Sequence, residues 1–460
     1  MNFDEGSFRD PAGRIFYKSN KIFRLINDSG KNRIKFVFDN KIIEKSIEKG
    51  YLIKCSLLNS NEIKDYELDP NSTIIEHEKI PYISYPYEWG FNQLKAAALH
   101  HLDFHLFLLN HGATLIDANA YNIQFIGSKP IFIDVLSIKK YEEGEYWLGH
   151  KQFCENFLNP LLLTSKKGVA FNNWFKGNLE GIPTQDLNNL LNFFDKISFN
   201  IFLHVYLLNR LDKKYKPQDK KVDLNLKKKF PKKNFLSMLN QLKNFISSLN
   251  PKRITTVWEN YSLSNTYKAT EENIKTEIVK KFILENKFSI MADLGCNDGF
   301  YSKIATDNGA KYVVGFDYDA NSIDMAFKKN DKEQLIFLPL IFDATNPSSN
   351  LGWNEKERKS FNKRAEFDGV LALAFEHHLT IAKNIPMEEA INWIISLAPQ
   401  GLIEFVPKSD PTIQKMMKFK GDIFPDYNEE NFKNCISKIA KIVSIKPITE
   451  SGRKIYEYKV

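Results

Sequence analysis

The sequence predicts an α/β fold, with a mainly parallel, doubly wound sheet in the C-terminal half and a separate α+β domain before it. Three observations lead there. Beyond about residue 255, short apolar runs alternate with amphipathic stretches, the pattern of strands joined by crossover helices. Met291-Ala-Asp-Leu-Gly-Cys-Asn-Asp-Gly299 reads as a buried strand ending in an acidic, glycine-bearing turn, and Gly315-Phe-Asp317-Tyr-Asp319 closes the next strand with another carboxylate. Ten lysines and no arginine lie between Lys213 and Lys233, alongside Pro217 and Pro231, as in a solvated interdomain connection.

In chain order, the strands expected after that connection are 288–294, 312–317, 335–340, 367–374 and 402–406, then a closing pair at 441–447 and 454–460. Amphipathic helices are expected over 301–308 and 387–397. A ligand of such a sheet lies at the carboxyl ends of the strands. A dinucleotide would need G-x-G-x-x-G so that its pyrophosphate could rest on backbone N–H groups. Here Asn297 replaces the middle glycine, and Asp293 and Asp298 repel phosphate. A phosphate-free ligand with a positive centre and a ribose suits the turn. S-adenosylmethionine (SAM) is such a ligand, with Asp317 on the ribose hydroxyls and the loop receiving the methionyl ammonium.

With these motifs in this order, residues 255–460 resemble a Rossmann-like class I SAM-dependent methyltransferase. The resemblance implies SAM contacts from Asp293, Gly295, Asn297, Gly299 and Phe300 in the first turn, and from Asp317 and Tyr318 after the second strand. It adds Asp343 and Ala344 near the adenine, and Ala374 at the end of the fourth strand. Trp258 and Tyr261 precede a helix expected to cover this pocket, and Tyr267 and Lys275 are candidates for its entrance. Methyl transfer of this kind implies no metal.

The chemistry is expected at Phe375-Glu376-His377-His378. Displacement at a sulfonium mainly requires alignment in a water-poor pocket, but a hydroxyl acceptor must also lose a proton. Histidine titrates near neutrality, so His377 or His378 is the candidate base and Glu376 the positioning group. The alternative is structural, one histidine capping the strand and the other packing under a lid. No Pro-Cys pair occurs, which disfavours cytosine C5 chemistry, and the fourth strand lacks the Asn/Asp-Pro-Pro-aromatic turn of base amino-methylating enzymes. The insertion 346–358, with Trp353, Arg358 and Arg364, and the segment Glu404-Phe-Val-Pro407-Lys408 resemble the two-part methyltransferases associated with nodulation host-specificity factors. That resemblance implies a saccharide or glycolipid hydroxyl as acceptor, with Trp353 stacking on a sugar ring and an arginine pairing with an acidic group. Otherwise these residues only staple the insertion.

Residues 1–211 carry a fainter pattern. Asp117, Asn122 and Asp134 reproduce the spacing at which kinases place the acceptor-orienting Asp, the magnesium-binding Asn and the metal-binding Asp. Helical sequence at 91–110, 151–163 and 187–211 suits such a lobe, so this half resembles a degenerate kinase-like domain. Leu115 and Ile116 replace the motif's His-Arg, Val135-Leu136 its Phe-Gly, and no glycine-rich phosphate loop or nucleotide lysine is recognisable. A non-catalytic, acceptor-selecting module is expected, joined through 212–254 to the methyltransferase-like domain.

Composition sets the remaining bounds. The 460 residues, with 43% hydrophobic content, 36 Phe and 19 Tyr, suffice for two cores. Four cysteines without C-x-x-C spacing argue against a disulfide framework or zinc module and favour a reducing cytoplasm. No secretory signal is expected, and the apolar stretch 197–211 is too short to span a membrane and reads as a core helix. His101 and His105 share a helix face without a zinc-protease Glu and are expected at the edge of the core. The net charge of +8 sits largely in the arginine-free lysine stretch, so nucleic acid is a disfavoured partner. Two alternatives remain, an RNA methyltransferase and a binding protein with two relic folds.

Overall fold

The computed structural model describes residues 2–66, 69, 71–210, 230–252, 269–418 and 421–460. In the N-terminal half, β1 (Asn2–Phe3), β2 (Gly13–Lys18), β3 (Lys21–Ile26), β4 (Cys55–Leu57) and β5 (Thr73–His77) form one antiparallel sheet in the order β1-β2-β3-β5-β4. The helix Phe91–Asn110 follows, apolar on most of its surface and therefore buried on most of it. Two short ladders come next, β6 (Ala113–Leu115) with β9 (Ile138–Lys140), and β7 (Ile123–Ile126) with β8 (Lys129–Phe132). His101 and His105 lie at the centre of this half rather than at its edge, fully buried among Trp147, Phe153 and Phe235.

The C-terminal sheet comprises β10 (Met291–Leu294), β11 (Val313–Asp317), β12 (Phe337–Ile341), β13 (Gly369–Ala372), β14 (Gln400–Phe405), β15 (Lys441–Pro447) and β16 (Lys454–Lys459). Their order is β12-β11-β10-β13-β14-β16-β15, parallel as far as β14 and antiparallel thereafter. This is a doubly wound sheet whose direction reverses beside β10, with one antiparallel strand inserted next to the edge. Strands 10 to 13 are buried almost throughout because helices cover both faces, which is why their sequences read as continuous apolar runs.

The two halves share one buried apolar cluster. Tyr82 stacks on Phe367 at 5.7 Å, and the Tyr312 hydroxyl, from the turn before β11, meets the Phe125 carbonyl at 3.3 Å. Gln93 Nε2 donates to the Pro339 carbonyl at 2.8 Å. The Asn92 N–H, at the positive end of the helix Phe91–Asn110, donates to the Asp324 carboxylate at 2.9 Å. The firmest link is Arg364, whose guanidinium grips both oxygens of Glu88 and also donates to the Ile83 carbonyl at 2.7 Å. Both side chains are buried, at 4% and 6% exposure, and Arg364 lies over the Tyr85 ring at 4.5 Å.

The stretch expected as one helix over 187–211 is interrupted. Thr184–Leu190 ends before Asn192, whose side chain caps a new helix, Phe193–Ile197, and Phe199–Ile201 then starts again. Competition of the Asn192 side chain with the helical ladder explains the first break, and Ser198 departs from helical angles at the second. Only one face of the last segment reaches the core: Ile201, His204 and Val205 are buried while Ile197, Phe199 and Phe202 are exposed. No helix among the described residues is long and apolar enough to cross a membrane, and all four cysteines are free and buried. Residues 211–229 lie outside the described residues, so the lysine-rich connection enters the structure only at its end.

Removing Arg364 would strand a buried carboxylate. Urea denaturation of Arg364→Ala is expected to show a loss of about 3–5 kcal/mol, and a loss below about 1 kcal/mol would mean that the halves do not depend on this clamp.

Candidate functional site

The first turn leaves β10 through Gly295 at φ +73°, Asn297 at +49° and Gly299 at +82°, before the helix Phe300–Asp307 begins. Three left-handed positions in five residues explain two of the glycines. The glycines also allow close packing. A Cβ on Gly299 would stand 2.6 Å from the Phe337 ring, and one on Gly295 would stand 3.1 Å from the Phe375 ring. The turn after β10 therefore abuts the turn after β13, where Ala374 is itself left-handed at φ +51°. A strained non-glycine residue at a strand end is the kind of outlier that clusters at functional sites.

Asp317 ends β11 and joins two turns. Its Oδ2 accepts the Asn297 N–H and its Oδ1 the Asp319 N–H, both at 2.9 Å. Burial raises its pKa, while the two N–H groups pull the other way. Each oxygen has capacity for one more donor. Asp319 in turn caps the helix Ala320–Glu333. Tyr318, at 69% exposure, and Phe300, at 38%, present rings on the surface next to these turns. Asp343 Oδ1 holds the N–H and hydroxyl of Thr345 at 2.9 and 2.6 Å, with Ala344 half-buried beside it.

Asp293 is placed differently from a loop carboxylate facing solvent. It points into the core below the turn, accepts the Ser302 hydroxyl at 2.6 Å, and is pushed up to about 6 by burial. Asp298 remains at the surface of the turn, 3.6 Å from Lys329. Asp317 and Asp298 therefore keep partial exposure at the turn, whereas Asp293 does not.

Beyond β13, Glu376 is fully buried, and its Oε1 accepts the Thr380 hydroxyl. Burial pushes its pKa up to about 7. The His377 ring is also buried, with neither nitrogen hydrogen-bonded. It lies 4.2 Å from the His378 ring, centroid to centroid. Burial holds both imidazoles neutral; His378, also facing the charge of Arg453, is depressed to about 4. Of the three, only His378 retains exposed surface.

A charged network that local spacing did not reveal lies next to this segment. Arg453 donates to both oxygens of Asp410 at 2.7 and 2.9 Å and lies 3.4 Å from Glu404. Lys275, a candidate for the pocket entrance, is instead buried against Glu404 at 2.7 Å, with Tyr301 under its ammonium at 4.9 Å. A signal was present in the carboxylate of Leu402-Ile-Glu-Phe-Val406, which is costly in a buried strand unless paired. Trp258, Tyr261 and Tyr267 lie outside the described residues.

The insertion after β12 is fastened to the N-terminal half. Trp353 packs on Phe8 at 5.3 Å and keeps 62% exposure, Glu357 pairs with Arg9 at 2.6 Å, and Arg358 covers the Tyr121 ring at 4.0 Å. Arg364 is committed to Glu88 and so is not free to receive an acidic sugar.

In the N-terminal half, Asp117, Asn122 and Asp134 do converge. Asn122 Nδ2 donates to Asp117 at 3.2 Å, and Ser137 donates to Asp134. Asp134 is also paired with Arg24 from β3 at 2.5 Å, with Asp10 3.6 Å from the same guanidinium. Burial and the neighbouring Asp134 push Asp117 up to about 6, while Arg24 and Ser137 hold Asp134 low against its burial. Arg24 escaped the motif reading, although a lone cation inside Ile22-Phe-Arg-Leu-Ile26 was its trace.

The chain is 42% identical over 459 residues to nodulation protein NoeA of Rhizobium meliloti (strain 1021), covering 99% of this chain and 95% of that protein. No family model matches. Among solved structures, it is similar to N-methyltransferase NodS from Bradyrhizobium japonicum WM9, at 11% identity over 42% of this chain and 97% of that one, with a TM-score of 0.31. It is also similar to magnesium protoporphyrin IX methyltransferase (ChlM) from Synechocystis PCC 6803, at 15% identity over 48% and 94%, with a TM-score of 0.30. Likenesses of that size carry no weight for the chemistry.

Glu376 has a higher proton affinity folded than unfolded, so the folded state loses relative stability as pH rises from its ordinary value of 4.5 to about 7. In denaturant titrations across that window, Glu376→Gln is expected to remove this component, gaining on the unaltered protein as pH rises. A constant difference between the two would show that Glu376 does not titrate as described.

Proposed function

The chain belongs to the family of the nodulation protein NoeA, and we propose, from the geometry of its strand ends, that its C-terminal half transfers a methyl group from SAM to an acceptor hydroxyl. The carrying observation is the meeting, at the carboxyl ends of β10, β11 and β13, of a left-handed turn, Asp317 and a buried acid–imidazole group. The site suits SAM on its own terms. The turn has no pyrophosphate pattern, Asp317 keeps acceptor capacity, and the two unpartnered ring nitrogens of the buried His377 await a partner.

Asp317 would hold the ribose hydroxyls, the backbone of Gly295 and Asn297 the methionyl end, and Asp343 and Ala344 the adenine edge. SAM supplies an electrophilic methyl group on a sulfonium that departs as a neutral thioether. The acceptor proton would pass to the group formed by Glu376, His377 and His378. His378 is the member that meets solvent, and Glu376 is the one whose proton affinity lies near neutrality, where general bases work best. This moves the base role from the imidazoles toward the carboxylate.

The acceptor we propose is a saccharide or glycolipid. The exposed Trp353 and its Phe8 neighbour offer an apolar face for a sugar ring, at the seam where the N-terminal half covers the insertion. The N-terminal half would act as a non-catalytic, kinase-like module that selects the acceptor. Its Asp134 is occupied by Arg24 rather than left for a metal-bound phosphate, which favours binding over phosphotransfer.

Mass spectrometry of host extracts incubated with methyl-labelled SAM is expected to find label on a saccharide-containing product. Glu376→Gln and His378→Ala should slow its formation by roughly 10²–10⁴-fold for loss of an acid–base group. Label on no product, or undiminished transfer by both variants, would refute the assignment. Magnesium with ATP is expected to leave the melting temperature unchanged, and a rise abolished by Asp134→Ala would overturn the non-catalytic reading.

A further inference from the structure

Away from the candidate site, three side chains on two helices form a small donor cluster. His150 and Cys154 are four residues apart on a helical run, His150–Phe153 continuing into the π-helical turn Cys154–Leu158, and so share one face. His204 faces them from a second run, in the π-helical turn Phe202–Leu207. His150 Nε2 lies 2.9 Å from His204 Nδ1 and 3.7 Å from Cys154 Sγ, and all three donor atoms fall within 4.8 Å of one another. In a tetrahedral zinc site, bond lengths of about 2.0–2.1 Å to nitrogen and 2.3 Å to sulfur put neighbouring donors roughly 3.3–3.6 Å apart. The two measured separations differ from those values by about half an ångström or less, and the third lies within 4.8 Å, so modest side-chain movement would close the ring around an ion.

The surroundings favour coordination over a plain imidazole pair. His204 and Cys154 are buried and His150 half-buried, a setting that favours a neutral imidazole offering a lone pair over a charged one. Each helix departs from α geometry at its ligand, and π-turns inside helices are frequently found at functional sites. Two imidazoles and a thiol are a borderline-soft donor set, suited to zinc rather than to magnesium or calcium.

We propose that His150, Cys154 and His204 bind one zinc-class divalent ion, which pins the 199–207 helical segment to the 150–158 segment. Binding exchanges the Cys154 S–H bond for a metal–thiolate bond and releases one proton to solvent. Among the described residues the group supplies three protein ligands, and water completes the tetrahedron. With three protein ligands the ion would keep one open position while joining the two helical segments, away from the residues proposed for methyl transfer.

Cobalt(II) titration of the metal-free full-length protein tests it. One equivalent should produce a thiolate-to-cobalt charge-transfer band together with tetrahedral d–d absorption, both displaced by one equivalent of zinc. Cys154→Ser should abolish the charge-transfer band and His204→Gln should weaken binding at least tenfold, whereas His111→Gln, at an exposed position, should change neither. X-ray absorption of the zinc-loaded unaltered protein needs no variant and should show two nitrogens and one sulfur from the chain. Absence of the band at stoichiometric cobalt, its survival in Cys154→Ser, or a sulfur-free shell would refute the site.

Discussion

The candidate site depends on how Asp317 divides its two oxygens. One oxygen fastens the turn that leaves β10 and the other fastens the turn that starts the helix Ala320–Glu333, both through backbone N–H groups at 2.9 Å. The Gly295 and Cys296 N–H groups also bond the Phe316 carbonyl, so this carboxylate extends the tie between the turn and β11 to Asn297, in the left-handed part of the run. The same group lies at the carboxyl end of β11, where a ligand of a doubly wound sheet is expected, so in the proposed function structural and binding demands would fall on one residue. Its partners are neutral N–H groups rather than an arginine or lysine, which leaves its charge unneutralised for a ligand.

Around that point the two halves are built as one body. Arg364 and Glu88 neutralise each other in a buried setting, Gln93 reaches the Pro339 carbonyl in β12, and aromatic rings from 82 to 125 pack on the sheet and its covering helices. A buried ion pair of this kind adds little over an apolar replacement but is expensive to break singly. It therefore specifies how the halves meet more than it strengthens the meeting. The insertion carrying Trp353 is held against the N-terminal half by Glu357 on Arg9 and Arg358 on Tyr121.

Much of the C-terminal sheet was legible because its information is local. Strands buried on both faces must be apolar throughout, so β10 to β13 stood out, and the closing pair β15 and β16 was placed to within a residue. The turn Gly295–Gly299 was legible because its backbone needs residues that accept left-handed angles. Asp293 was misplaced, since spacing alone does not say which face of a strand end a side chain takes. Arg24, Arg453 and the clamp at Arg364 were missed for a common reason. Each finds its partner across 43 to 276 residues of chain, and no periodicity records a pairing set by tertiary contact. The broken helix after Leu190 was missed because capping by Asn192 outweighed the apolar periodicity on either side.

The central claim is that unneutralised carboxylate at the end of β11 selects a cationic, phosphate-free adenosyl ligand. Isothermal titration of the full-length protein with SAM tests it most directly. The account predicts one SAM per chain with micromolar affinity, lost in Asp317→Ala while circular dichroism stays unchanged. No heat of binding to the unaltered protein, or equal affinity in the variant, would contradict it.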